Sequence, residues 1–269
     1  MAIVTIAREC GTMGQLIAAE LSRQLGYRLI DRQVVEEALE ADGFTEKNVS
    51  AYDERKPGFF AQVSSMMEEY IRGLKTLVYR EAAKGDCVFL GRGTQFLLQN
   101  VPGVVRIRLV APLATRIACI SKLQGIDEHA AAQQIRHVDR DRSQFNEHFF
   151  DTKWDDAVNY SVVLNTQGHT PEQVVRVIRS IIAEVTSPEL EAAGKGKAHN
   201  LATGQLICRH LLHDLRLPLS FLEAEVNDDS VILHGLAHSM EDIEKARTHA
   251  AIEGISNVIS DLSIGRMMR

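Results

Sequence analysis

The segment Ile3-Val-Thr-Ile-Ala-Arg-Glu-Cys-Gly-Thr-Met-Gly-Gln-Leu-Ile-Ala18 constrains the fold of this chain more than any other. A run of strand-forming residues leads into Gly11 and Gly14, and a helical spacing of Leu16, Ile17, Leu21 and Leu25 starts at once. Strand, glycine loop and helix in that order bring backbone N–H groups and the positive end of a helix to one point, which suits a phosphate. A full phosphate loop reads G-x-x-x-x-G-K-[ST], with Lys on the β- and γ-phosphates and the hydroxyl on Mg²⁺. Here Gln15 holds the Lys place and Leu16 the hydroxyl place. The segment alone leaves two readings open, a phosphate loop and a plain βα turn.

The same alternation continues. Strand-like segments recur at Ile3–Ile6, Tyr27–Ile30, Cys87–Leu90, Val104–Val110 and Ser161–Leu164, separated by helical patterns that include Phe59–Ala83 and Pro171–Val185. This order predicts an α/β fold, a parallel sheet with helices on both faces. Ligands of such sheets bind beyond the carboxyl ends of the strands. The loops after Ile6, Leu90 and Val110 then share one rim, and they carry Arg8, Arg92 and Arg116.

At 269 residues the chain accommodates a medium domain and a smaller one. Ser187–Asn200 changes character to Pro, Gly, Ala and Lys without apolar periodicity, and is expected to be an interdomain linker. The expected layout is residues 1–186, a linker over 187–200, and a small α+β domain over 201–269. In the last, a helix near Thr203–Asp214 precedes strands near Phe221–Val226 and Ser230–Leu236, turned by Asp228-Asp229. A helix near Met240–Glu253 and a strand near Val258–Ile264 complete an αββαβ order. His210 and His213 form H-x-x-H, but zinc needs further ligands, so no metal site is expected from protein side chains alone.

A net charge of −6 argues against broad binding to nucleic acid. Four scattered cysteines, Cys10, Cys87, Cys119 and Cys208, suit reduced, packed thiols in the cytoplasm. No secretory segment or membrane span is expected.

Arginine suits phosphoryl chemistry because its planar fork binds phosphate oxygens in pairs and stays charged. Leu90-Gly-Arg-Gly93 holds Arg92 at the end of an apolar strand. The densest cluster is Arg136-His-Val-Asp-Arg-Asp-Arg142, in which Arg136 and Arg140 share a helical face. Asp139 and Asp141 offer these arginines partners within a solvated helix instead. Trp154 and the Phe145–Phe150 patch are expected to be packing residues.

Taken together, these pieces resemble the cytidylate kinase-like family, a branch of the P-loop nucleoside monophosphate kinases. The matching residues are Thr5-Ile-Ala-Arg-Glu with Gly11 and Gly14, Tyr27 through Asp31-Arg32, and Val88-Phe-Leu-Gly-Arg-Gly93. Val110-Ala-Pro through Arg116, Asp139-Arg140-Asp141-Arg142, Trp154, and Asn159-Tyr160-Ser-Val-Val-Leu-Asn165-Thr166 follow in the family's order. The resemblance covers residues 1–185. It implies transfer of the γ-phosphoryl group of ATP, with Mg²⁺, to CMP or dCMP. By position, Arg8, Gly11, Thr12, Met13, Gly14 and Gln15 would hold the ATP phosphates. Asp31, Arg32 and Arg92 would bind the acceptor, and Arg136, Arg140 and Arg142 would act from a mobile lid. Asp31 reads equally well as the N-cap of the helix beginning at Arg32.

The chain departs from the family's G-S-G-G-R/K loop, since it has Gly11-Thr-Met-Gly-Gln15. Exchanging a charged donor for Gln15 costs about 1.5–3 kcal/mol, roughly 10- to 100-fold in binding or rate. Met13 adds bulk where backbone must approach phosphate, while Arg8 offers a replacement cation. Two functional expectations stand: a nucleoside monophosphate kinase with a degenerate loop, and a catalytically impaired nucleotide-binding regulatory protein acting through its C-terminal domain. That domain resembles a BON domain, through Asp229-Ser-Val-Ile-Leu-His-Gly-Leu236 and Ala250-Ala-Ile-Glu-Gly-Ile-Ser-Asn-Val-Ile259. A homo-oligomer contact or a ligand site is the role expected of it.

Overall fold

In the computed structural model, which describes residues 2–44 and 64–265, five parallel strands form the first sheet. β1 (Ile3–Arg8), β2 (Arg28–Ile30), β3 (Cys87–Leu90), β4 (Val104–Val110) and β5 (Val162–Asn165) lie in the order β2-β3-β1-β4-β5. Every residue of β1 is buried, as befits the middle strand of a sheet covered on both faces. Ile3 stands beside Cys87 of β3 on one side and Val104 of β4 on the other. Between β3 and β4 the chain crosses from one side of β1 to the other. The crevice beyond these three strand ends is where ligands of such sheets bind.

Helix α1 (Gly14–Leu25) follows β1, and α2 (Arg32–Ala41) follows β2. α3 (Ser64–Lys84) precedes β3, and α4 (Thr94–Leu97) follows it. The part of the expected Phe59–Ala83 helix before Ser64 lies outside the described residues. α5 (Leu113–Gln124) and α6 (Glu128–Phe150) link β4 towards β5, and α7 (Pro171–Val185) follows β5. One core packs Ile17 and Leu21 of α1 and Val175 and Ile178 of α7 against Val4, Ile6, Val88, Ile107 and Leu109. Each large side chain so buried contributes about 1.5–3 kcal/mol relative to exposure. α7 starts where its sequence says it should. Thr170 and Gln173 form a capping box around Pro171. A second set of packed rings joins Tyr70 of α3, Phe96 of α4, and Phe145, Phe149 and Phe150 of α6.

The chain divides into two units at Lys195/Gly196. That division falls inside α8 (Pro188–Arg209), so the segment expected as an irregular linker is helical. The helix starts on Ser187, whose hydroxyl accepts from the Leu190 amide (3.3 Å), with Pro188 in its first turn. Gly194 and Gly204 are close-contact positions: an added Cβ would stand 2.2 Å from the carbonyl oxygens of Pro102 and Ala224 respectively. A π-helical turn, His210–Asp214, ends this run.

The second unit then has β6 (Leu219–Asn227), β7 (Ser230–Ala237), α9 (Met240–His249) and β8 (Asn257–Ile264), in the expected αββαβ order. α9 is shorter than its sequence pattern, since the chain leaves the helix at Ala250. Its sheet runs β6-β7-β8, antiparallel then parallel. Ile207, Leu211, Leu222, Val231, Leu233, Ile243 and Leu262 form its core.

Candidate active site

The glycine loop is wedged between two arginines. Gly11 has φ +89°, and a Cβ there would lie 2.8 Å from the Arg116 carbonyl oxygen and 2.9 Å from the Arg116 Cβ. At Gly14 a Cβ would lie 2.7 Å from Cγ of Arg8. Both positions therefore need glycine for space. Met13 takes the left-handed conformation (φ 59°) as the N-cap of α1 and gives the helix no side-chain hydrogen bond. The first N–H groups of α1 are thus left for another acceptor. Thr12 is buried and its hydroxyl donates to the Glu9 carbonyl (2.8 Å).

Charged groups fix the loop from behind. The Cys10 amide donates to Asp139 Oδ1 (2.8 Å), and Arg116 Nη1 donates to Asp139 Oδ2 (2.5 Å). Arg116 also reaches the carbonyls of Ala111 (3.0 Å) and Cys10 (3.3 Å). Glu9 accepts from the Ala111 amide (3.2 Å) and stands 3.4 Å from both Arg108 and Arg116. Arg116 and Asp139 therefore shape the loop, rather than facing a ligand.

Beside the loop, Gly91, Arg92 and Gly93 all have positive φ (81°, 60° and 67°). For an L-residue such as Arg92 this costs about 1–2 kcal/mol. The strained turn holds Arg92 almost fully buried. Its Nη1 donates to the Tyr70 hydroxyl (2.7 Å) and its Nη2 to Glu36 Oε1 (3.1 Å). The same Glu36 oxygen accepts from Arg32 Nε (2.7 Å), which joins two expected acceptor residues through one carboxylate. The ring of Phe150 occupies the space that a Cβ on Gly93 would need, with its Cε2 2.0 Å away.

α6 distributes its arginines to opposite sides. Arg142 is buried, and its Nη1 donates to the Arg8 carbonyl (2.9 Å). Arg136 and Arg140 are exposed, and Arg140 Nη2 lies 2.9 Å from His137 Nδ1. A cleft at the ends of β1 and β3 is lined by Arg8, Arg92 and Arg142 together with Gln95, Asn146 and Trp154. Asn146 donates to the Arg142 carbonyl (2.6 Å) and accepts from Gln95 (3.3 Å). The guanidinium of Arg108 lies 4.3 Å from the centre of the Trp154 ring and donates to the Trp154 carbonyl.

Asp31 does two things at once. Its Oδ1 accepts from the amides of Gln33 (3.1 Å) and Val34 (3.4 Å), capping α2. Its Oδ2 accepts from Gln15 Nε2 (2.9 Å). The residue in the lysine place of the loop is thereby tied to the start of α2. No group of three potential ligands forms a metal cluster among the described residues. Magnesium, however, is usually held by one or two carboxylates plus the substrate's phosphates. Asp31 is the carboxylate beside the loop, with both oxygens accepting hydrogen bonds; the Thr12 hydroxyl is likewise engaged, and Leu16 has no donor atom.

Of the residues expected from the sequence, Arg8, Arg92 and Arg142 meet in one cleft, and Gln15 meets Asp31. Arg136 and Arg140 are not drawn into the cleft. Glu36, Tyr70, Arg108 and Asn146 were not singled out from the sequence, and Glu9 was quoted there only within Thr5-Ile-Ala-Arg-Glu. Arg108 left a trace, a cation within the apolar strand Val104–Val110. Tyr70 and Glu36 left none, because each sits in an ordinary helical pattern. His210 pairs with Asp214 (3.0 Å).

The family model described as the cytidylate kinase-like family matches residues 3–168. The structure of an uncharacterized protein from Eubacterium ventriosum superposes with TM-score 0.57 at 19% identity, over 68% of this chain and 98% of that one. Shikimate kinase from Acinetobacter baumannii gives TM-score 0.41 at 13% identity, over 68% and 94% of the two chains. A 98-residue stretch is 32% identical to uronate isomerase of Corynebacterium glutamicum, spanning 36% of this chain and 19% of that protein. Among the described residues no helix is long and apolar enough to cross a membrane. With the match extending over well more than half of its length, the chain belongs to the cytidylate kinase-like family.

Proposed function

We propose that residues 1–186 transfer the γ-phosphoryl group of ATP to a nucleoside monophosphate of the CMP or dCMP type. The observation that carries this reading is the cleft where Arg8, Arg92 and Arg142 converge beside the glycine loop. Arg92 is held on Tyr70 and Glu36 and Arg142 on the Arg8 carbonyl, so the three arginines place positive charge around a small polar cleft beside the N-terminus of α1, where phosphates would bind. Arg92 and Arg32, joined through Glu36, hold the acceptor phosphate and its side of the cleft. Residues Gly11 to Gln15 wrap the ATP phosphates, with Arg8 supplying charge that Gln15 lacks. Arg136 and Arg140 act from the exposed face of α6 once nucleotide is bound, and Arg142 acts from the buried face. Asp31 faces the acceptor side with Arg32 and Arg92; it is also the carboxylate that would help hold magnesium, which would supply neutralisation of the charge that develops on the transferred group.

A second reading has its own support. Gln15 is neutral and engaged with Asp31, and Leu16 offers no ligand atom. Those features favour a nucleotide-binding regulator that has lost catalysis and acts through residues 201–269. In either case we read those residues as a BON-like regulatory or dimerising module.

A panel of ribo- and deoxyribonucleoside monophosphates incubated with Mg²⁺–ATP separates the two. Production of ADP with CMP or dCMP, and its loss in Arg92→Ala, is the expected result. ATP binding without turnover on any acceptor would establish the regulatory reading instead.

A further inference from the structure

Arg92 is a cation buried where packing alone gives no reason for one. Its side chain is 3% exposed just beyond the carboxyl end of β3, and its backbone is left-handed (φ 60°) between two glycines. A buried ion pair often does no more for stability than well-packed apolar residues of the same volume. Backbone strain that the surroundings hold in place clusters at functional sites. The two partners of its Nη atoms differ in kind. Glu36 is a quarter exposed, and the oxygen it turns to Arg92 Nη2 is shared with Arg32. Tyr70 of α3 is fully buried, and its hydroxyl accepts from Arg92 Nη1 at 2.7 Å. The Tyr70 ring packs against Phe149 (centroids 6.4 Å apart), and Phe149 against the fully buried Phe145 (4.7 Å). Phe150, from the same end of α6, closes the space at Gly93. Packing therefore fixes both ends of the Tyr70–Arg92 hydrogen bond. A phenol is neutral, so it sets the plane of the guanidinium without cancelling its charge, which a carboxylate in its place would do.

We propose that Tyr70 is a positioning residue for the acceptor: its hydroxyl holds Arg92 in the orientation that receives the acceptor phosphate. This rests on the reading that Arg92 binds that phosphate. An arginine fork meets phosphate oxygens through N–H groups in fixed directions. A fork oriented beforehand loses less side-chain freedom on binding, and so binds more tightly.

Calorimetric titration of the full chain with CMP, and separately with ATP, tests the role without requiring turnover. Tyr70→Phe removes one oxygen and keeps the ring. It should weaken CMP binding about tenfold, as expected for a hydrogen bond to a charged group, and leave ATP binding within about twofold. Arg92→Ala should weaken CMP binding further. Adding Tyr70→Phe to Arg92→Ala should then change nothing more, because the hydroxyl acts through the guanidinium. Additive losses, equal losses for CMP and ATP, or unchanged CMP binding in Tyr70→Phe would each overturn the role of Tyr70 and leave Arg92 as the acceptor's ligand. CMP binding that is unchanged in Arg92→Ala, or absent from wild type, would overturn the acceptor reading and this inference with it.

Discussion

Arg92 shows how a single residue can be both strained and indispensable to its surroundings. It occupies a left-handed conformation between two glycines, and its guanidinium spans Tyr70 and Glu36, which lie far from it in sequence. Gly-Arg-Gly was legible as a rim element, since it ends an apolar strand. Its partners were not, because contacts across such separations leave no periodicity. Phe150 filling the space at Gly93 gives a direct prediction. Gly93→Ala should lower the free energy of unfolding by about 2–3 kcal/mol, from positive φ and overpacking together. Urea denaturation measures this, and a loss near zero would show that Phe150 moves aside. Arg140, exposed on α6, makes the opposite prediction. Arg140→Ala should leave stability within about 0.5 kcal/mol while lowering turnover about 10³-fold, with ATP affinity little changed. Matched losses of turnover and ATP affinity would assign it to ground-state binding.

Among the elements, strands and capped helices were the most legible. Cys87–Leu90 and Val104–Val110 were read at their observed bounds, and Thr170-Pro171 marks the start of α7. The part of α8 before residue 201 is helical where a linker is expected. Gly194 has the look of a linker residue in sequence, whereas in the structure it lets the helix backbone lie against the Pro102 carbonyl. A helix that packs through missing side chains produces no apolar stripe, so the pattern that identifies other helices was absent. α6 was read as a single arginine cluster because spacing in sequence does not reveal which face is covered. β3 carries a pH prediction of its own. Burial pushes the Cys87 thiol from 9.0 up to about 12, against the opposing pull of Arg28. Burial raises Tyr160 as well. A group whose folded value is raised contributes stability that is present below its unfolded value and is lost as pH rises towards the folded one. Stability should therefore decline between about pH 9 and pH 12. Cys87→Ala should make that decline shallower in denaturation curves measured across this range, and an unchanged slope would remove Cys87 as a cause.

At the scale of the whole molecule, alternation of strands and helices was enough to give a parallel α/β sheet and the rim on which Arg8 and Arg92 meet. The αββαβ order of the second unit was legible for a similar reason, since its strands carry β-branched and apolar residues and the first two are punctuated by Asp228-Asp229. What the sequence did not reveal was how charge is arranged behind the loop, where Glu9, Arg108, Arg116 and Asp139 hold it by interactions spanning the first unit. That scaffold supports the loop, in which Gln15 stands at the place of the lysine in a full phosphate loop. The account rests on phosphoryl transfer proceeding with Gln15 in that place. The most direct test is a single-turnover experiment with γ-³²P-labelled ATP, Mg²⁺ and CMP. The account predicts label in CDP, loss of that transfer in Arg92→Ala, and faster transfer in Gln15→Lys. Label confined to ATP and inorganic phosphate, at enzyme in excess of nucleotide, would contradict it.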